Sequence, residues 1–123
     1  MHETSLAEKI VETALEVARE NGAKRVSRLN LLLGELAGVE VETLAFAFQV
    51  ACNETAAQGC QLQVERVSGR FKCWTCANER GGDLYDLCPS CGNPGGDILA
   101  GREFRIISVD VDHDTGPEGT SEP

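Results

Sequence analysis

The chain has 123 residues and a formal net charge of −9, with 41% hydrophobic and 5% aromatic residues. That length suffices for one ordinary core plus a metal-stapled appendage, and no apolar run approaches the roughly 18 residues needed to cross a bilayer, so no membrane insertion is expected. The acidic balance opposes binding to nucleic acid, whose phosphates reward clustered Lys and Arg, and the opening Met1–Ser5 lacks the basic and apolar regions of a secretory signal, which points to a cytoplasmic protein with reduced cysteines.

Ser5 and Glu8 carry the spacing of a capping box. Leu6, Ile10, Ala14 and Val17 then recur at helical spacing, flanked by Ala7, Val11 and Ala18. Asn21-Gly22 supplies a stop, which predicts an amphipathic helix of about four turns. Arg25 to Leu33 alternates, with Leu29, Leu31 and Leu33 on one face of a strand. After Gly34 and Gly38, a second helix is expected from Glu40 to about Cys52, with Val41, Leu44, Ala45, Phe48 and Cys52 along one stripe. Gln61 to Val67 reads as a second strand, with Leu62 and Val64 facing inward. A last strand is expected from Arg102 to Asp112, with Ile107, Val109 and Val111 on one face.

Between the second strand and the last lies a loop-rich stretch with two cysteine pairs, Cys73-Trp-Thr-Cys76 and Cys88-Pro-Ser-Cys91, separated by eleven residues. Two thiolates from each of two tight turns close a tetrahedral shell around one soft divalent ion, most often zinc. A closed shell leaves no open position, so zinc here holds shape and does not activate water. A redox dithiol needs a different setting, and an iron–sulfur cluster is the minor competitor. Cys52 and Cys60 lie outside the pairs and are read as packing residues.

The last strand needs partners, so the metal module is inserted between strands of one small sheet. The expected fold class is α+β: a small three-stranded mixed sheet with two helices and an inserted zinc-ribbon module. Residues 1–69 plus 102–112 form one domain and 70–101 the zinc-binding domain. The Gly-, Pro- and acid-rich stretch 113–123 is expected to be a disordered tail.

The chain start offers a second metal chemistry. The Met1 amine, the His2 amide nitrogen and the His2 imidazole can close adjacent chelate rings on one ion, and Glu3 can add its amide or carboxylate. Nitrogen-rich, square-planar sites suit Ni(II) or Cu(II), although a single histidine near a terminus is commonly idle. His113, among Asp110, Asp112 and Asp114, is read as a solvated terminal residue. No phosphate-cradling loop and no nucleophile elbow is present, so no enzyme activity is expected.

Met1-His2-Glu3 with Ser5-Leu6-Ala7, the run Leu33-Gly34-Glu35-Leu36-Ala37-Gly38-Val39, the following Phe46-Ala47-Phe48 and the two cysteine pairs occur in an order that resembles HypA/HybF nickel metallochaperones, over roughly Met1 to Asp112. The resemblance implies a maturation factor for NiFe-hydrogenase. Such a factor binds Ni2+ at its N-terminus, keeps structural Zn2+ in the ribbon, and passes nickel to the hydrogenase large-subunit precursor with a partner GTPase, HypB. By that resemblance His2 is the central nickel ligand, with Met1 and Glu3 beside it. Glu40 stands where the family often has Asp and ranks last among the ligands, and Val41 stands where it often has Pro. A reading from another class is a zinc-ribbon adaptor that binds a protein or nucleic acid through the ribbon tip, with Trp74 and Tyr85 as its contact surface. The oligomeric state does not follow from the sequence.

Overall fold

The computed structural model describes residues 2–83 and 85–113. Met1, and the expected tail apart from His113, fall outside them. The elements in chain order are α1 (His2–Glu20), β1 (Arg25–Gly34), α2 (Val41–Cys52), β2 (Gln61–Val67), β3 (Arg70–Cys73), β4 (Glu79–Arg80), β5 (Gly96–Ala100) and β6 (Phe104–Asp112). The α+β architecture matches the reading from sequence, with two helices, one sheet in the order β2-β1-β6, and an inserted module holding a second small sheet, β4-β3-β5.

The first sheet is mixed. Along β1 and β6 the Lys24 N–H donates to the Asp112 carbonyl at 2.9 Å, and the Gly34 N–H to the Glu103 carbonyl at 2.7 Å, an antiparallel progression. On the β2 side the bonds that flank the pair advance in one direction, from Val26 N–H donating to Ala56 O, ahead of β2, to Glu35 N–H donating to Val67 O at its end. Parallel strands need a crossover, and α2 supplies it. Gly34 is required where β1 ends, because a Cβ there would overlap the backbone of Gly101.

The chain falls into two compact units. One comprises 1–31, 40–63 and 106–123, the other 32–39 and 64–105. In the first, α1 packs on α2. Ala7, Ile10, Val11, Ala14 and Ala18 are buried on α1, as are Leu44, Phe48 and Cys52 on α2 and Val26, Leu29 and Leu31 on β1. Cys52 and Cys60 are buried free thiols, as their packing role requires.

Three local expectations are corrected. The first helix starts at His2, so Ser5 lies within its first turns and the Ser5–Glu8 box does not form. A tertiary bond also reaches this first turn, where the Glu3 carboxylate accepts from the Glu40 N–H. The last strand begins at Phe104, two residues later than expected, after Gly101, whose φ of +115° is not an extended-strand conformation. Its alternation also changes phase, so that Val109 and Val111 are half-buried while Ile107 is 48% exposed. The Asn21-Gly22 stop holds. Gly22 has φ +67°, its N–H reaches Arg19 O at 3.2 Å, and the Ala23 N–H reaches Ala18 O at 2.8 Å, the paired bonds of a Schellman cap.

Candidate metal centres

The cysteine module is built from two copies of one turn. The Cys73 N–H donates to Asn78 O at 2.9 Å and Ala77 N–H donates to Cys73 O at 3.0 Å. In the second turn Cys88 N–H donates to Asn93 O at 3.0 Å and Gly92 N–H donates to Cys88 O at 2.7 Å. The fifth residue of each turn takes positive φ, +66° at Ala77 and +78° at Gly92. Each turn thereby brings two sulfurs to one side.

Across the turns, Cys73 Sγ lies 3.6 Å from Cys91 Sγ and Cys76 Sγ lies 3.7 Å from Cys88 Sγ. All four sulfurs are within 4.8 Å of one another. A tetrahedral ion with metal–sulfur bonds of about 2.3 Å spaces its sulfurs by about 3.8 Å, so the quartet fits zinc in both donor set and spacing. Two of the thiols are tuned toward thiolate. N–H groups of Cys76 and Thr75 lower Cys73 to about 6, and N–H groups of Cys91 and Ser90 lower Cys88. Cys76 accepts from Asn78, yet burial and the three other sulfurs raise it to about 11. A divalent cation resolves that conflict by letting all four ionise together. When bound, zinc supplies cross-linking of the two turns; the chain supplies the N–H donors that hold the sulfurs in place.

The core under this cluster is small: Phe71, Cys73, Cys88 and the buried Arg80. Arg80 lies 4.5 Å over the Phe71 ring and its Nη1 donates to the carbonyls of Gly81 and Asp83 at 3.1 and 3.0 Å. Sequence reasoning missed this burial, because a lone Arg beside Gly-Gly carries no signal of it.

The nickel ligands expected from the sequence lie where α1 and α2 begin. His2 is exposed in the first turn of α1, where backbone N–H groups have no helical acceptor. Its Nε2 is 3.9 Å from Glu3 Oε2. The same Glu3 oxygen accepts from the Glu40 N–H at 3.2 Å. That bond, with the local backbone N–H and the neighbouring His2, holds the Glu3 carboxyl below its ordinary value. Glu40 is the N-cap of α2: its Oε1 accepts from Thr43 N–H at 3.1 Å and from the Thr43 hydroxyl at 2.9 Å. The folded chain therefore sets His2 beside Glu3 and Glu3 beside the backbone of Glu40, while the Glu40 carboxylate is turned to Thr43. Met1 lies outside the described residues. Thr43 was not singled out from the sequence, because Glu40 followed three residues later by Thr reverses the usual capping-box order. His113 does not join either centre; its Nε2 lies 2.9 Å from Asn21 O.

Fold and thiolate cluster together define a small α+β protein with an inserted zinc-ribbon module. The profile of the family described as hydrogenase/urease nickel incorporation, metallochaperone, hypA matches residues 1–111. The chain is 44% identical over 107 residues to a hydrogenase maturation factor HypA of Azoarcus sp. (86% of this chain, 94% of the relative). It is 34% identical over 116 residues to that of Dehalococcoides mccartyi (94% and 98%). The solution structure of the Ni metallochaperone HypA from Helicobacter pylori shares the fold at TM-score 0.61 and 20% identity, covering 91% of this chain and 98% of that one. The chain belongs to the HypA family of nickel metallochaperones.

Proposed function

We propose that this chain carries Ni2+ during NiFe-hydrogenase maturation, taking the ion at its N-terminus and surrendering it in the cytoplasm to the hydrogenase large-subunit precursor, with the GTPase HypB as partner. The observation that supports this reading is His2 beside Glu3 at the start of α1, with Glu3 tied to the start of α2 through the Glu40 N–H, in a chain of the HypA family.

The chemistry runs through the chain start. The Met1 amine loses its proton to become a donor, as does the His2 amide, and the His2 imidazole closes the second ring. The resulting nitrogen set suits square-planar Ni(II). The Glu3 and Glu40 carboxylates add negative charge beside it. Such a chelate is open on one side, so an acceptor's ligands can replace its own one at a time, and reprotonation of the amine and amide drives release. The thiolate quartet of Cys73, Cys76, Cys88 and Cys91 keeps its zinc throughout. In this reading the nickel work belongs to 1–69 plus 102–112 and the structural metal to 70–101, and the chain transports an ion without catalysing a reaction.

The test is nickel titration of untagged, zinc-loaded protein by calorimetry and absorption spectroscopy. One nitrogen-ligated site per chain is expected, abolished by His2→Ala and perturbed by any N-terminal extension that turns the Met1 amine into an amide. Undiminished nickel affinity in His2→Ala would overturn the reading.

A further inference from the structure

Trp74 is the sole tryptophan of the chain and follows the first zinc ligand. It is 68% exposed, yet its ring is not loose. The indole Nε1 donates to Asp97 Oδ1 at 2.9 Å. Gly95, at φ +90°, brings its backbone against the benzo ring so closely that a Cβ there would overlap Cε3 and Cζ3. Both contacts come from one segment, since Gly95 immediately precedes β5 and Asp97 is its second residue. The module thus spends a glycine and a carboxylate on fixing a side chain that it leaves mostly in water. A tryptophan held in one orientation is the kind of side chain that anchors interfaces, because little freedom remains to be lost when a partner covers it.

We propose that Trp74 and Asp97 form a docking anchor for a cationic side chain, Arg or Lys, on a segment of a partner protein. Charge selects that occupant. The exposed acids of the module are Glu79, Asp83, Asp86 and Asp97, against exposed Arg70 and Lys72, and Glu79 is already paired with Arg70 at 2.6 Å. Four thiolates around one divalent ion add a double negative charge, and the chain as a whole stands at −9. A second copy of this chain or a nucleic acid would bring like charge. A guanidinium or ammonium group instead meets the best aromatic partner for a cation beside a carboxylate able to accept a charge-assisted hydrogen bond. Lys72, opposite Asp97 in the β3–β5 register, places a positive charge on the same part of the sheet that a cationic partner must approach. This anchor does not depend on nickel binding at the chain start.

The experiment uses the full zinc-loaded chain and a capped Gly-Arg-Gly-Arg-Gly peptide, with Lys and Glu counterparts and a single-stranded oligonucleotide as controls. Emission of the lone tryptophan and the NMR shift of its Nε1 proton report binding. The Arg peptide should shift both signals saturably at millimolar concentration, with an effect that fades as salt rises, and the Glu peptide and oligonucleotide should leave them unmoved. Asp97→Asn should weaken the interaction roughly two- to fivefold, and Lys72→Glu should strengthen it. Trp74→Ala should abolish peptide-induced shifts of neighbouring amides while nickel uptake stays intact. No saturable response to the Arg peptide, an equal response to the Glu peptide, or an undiminished response in Asp97→Asn overturns the proposal.

Discussion

Ala77 occupies in the first cysteine turn the position that Gly92 occupies in the second, at φ +66° against +78°. An L residue with a side chain is disfavoured there by about 1–2 kcal/mol, so the first turn carries a strain that the second avoids. Nothing lies within 4 Å of a Cβ built on Gly92, so the difference between the two sites is purely one of backbone conformation. Ala77→Gly should therefore stabilise the module by about 1 kcal/mol, and Gly92→Ala should cost a similar amount. Because zinc binds the folded module, each change should appear as an approximately fivefold shift in zinc retention against a chelator. The double exchange should be close to neutral.

Glu40 has two roles that substitution can separate. As the N-cap of α2 it bonds Thr43, and its replacement by Ala should cost about 1 kcal/mol of helix stability. Asn caps as well as Asp but carries no charge, so Glu40→Asn should keep the thermal midpoint close to that of the parent. Nickel affinity then decides the second role. A fall in Glu40→Asn with an intact midpoint assigns the carboxylate to the metal, whereas unchanged affinity leaves it as a cap. Glu40→Asp, the residue frequent at this position in the resembling family, should preserve both.

The bond between Glu3 and the Glu40 N–H predicts an order of stabilities. Glu3→Gln keeps an acceptor oxygen but loses its charge, and Glu3→Ala loses both. Circular dichroism melts of the nickel-free, zinc-loaded protein should rank the parent above Glu3→Gln and Glu3→Ala lowest, independent of any ligand role.

Cys52 gives a prediction in pH. Burial, with the nearby Cys60, raises its thiol from the ordinary 9.0 to about 11. Above pH 9 the unfolded chain releases this proton while the folded chain retains it, so stability is full below pH 9 and declines as pH rises toward 11. Denaturation at pH 7.5 and 10.5 should show a smaller loss in Cys52→Ala than in the parent. At pH 7.5 neither Cys52 nor Cys60 should react with a maleimide until denaturant is added.

Much of β1 and of the two helices could be read directly. The alternation of Leu29, Leu31 and Leu33 corresponds to three fully buried side chains, and the α2 stripe was legible because burial there follows one helical face. The thiolate quartet was legible because metal-ligand spacing is a covalent-scale constraint. The β4-β3-β5 sheet was not, since its strands are short and their pairing follows from the metal turns more than from apolar periodicity. The start of α1 was also hidden. The local Ser5–Glu8 signal pointed to a start at Ser5, whereas the helix begins at His2 and its first turn is tied to Glu40 by a bond across 37 residues of sequence, a contact that no window around residue 5 contains.

The contrast between the two cores predicts what metal removal does. The inserted module buries Phe71, two of its cysteines and Arg80, and no second large apolar side chain among its described residues 70–101. So little apolar area cannot offset the entropy of ordering about 30 residues, and the module's folding free energy must come from zinc. The first unit has Ile10, Val11, Leu29, Leu31, Leu44 and Phe48 in its interior and needs no metal for them. Chelation, or Cys73→Ser, should therefore collapse amide dispersion for β3, β4 and β5 in an HSQC spectrum while residues of α1 and α2 keep native shifts. Loss of dispersion across α1 and α2 as well would mean that the thiolate cluster holds far more of the molecule than its own module.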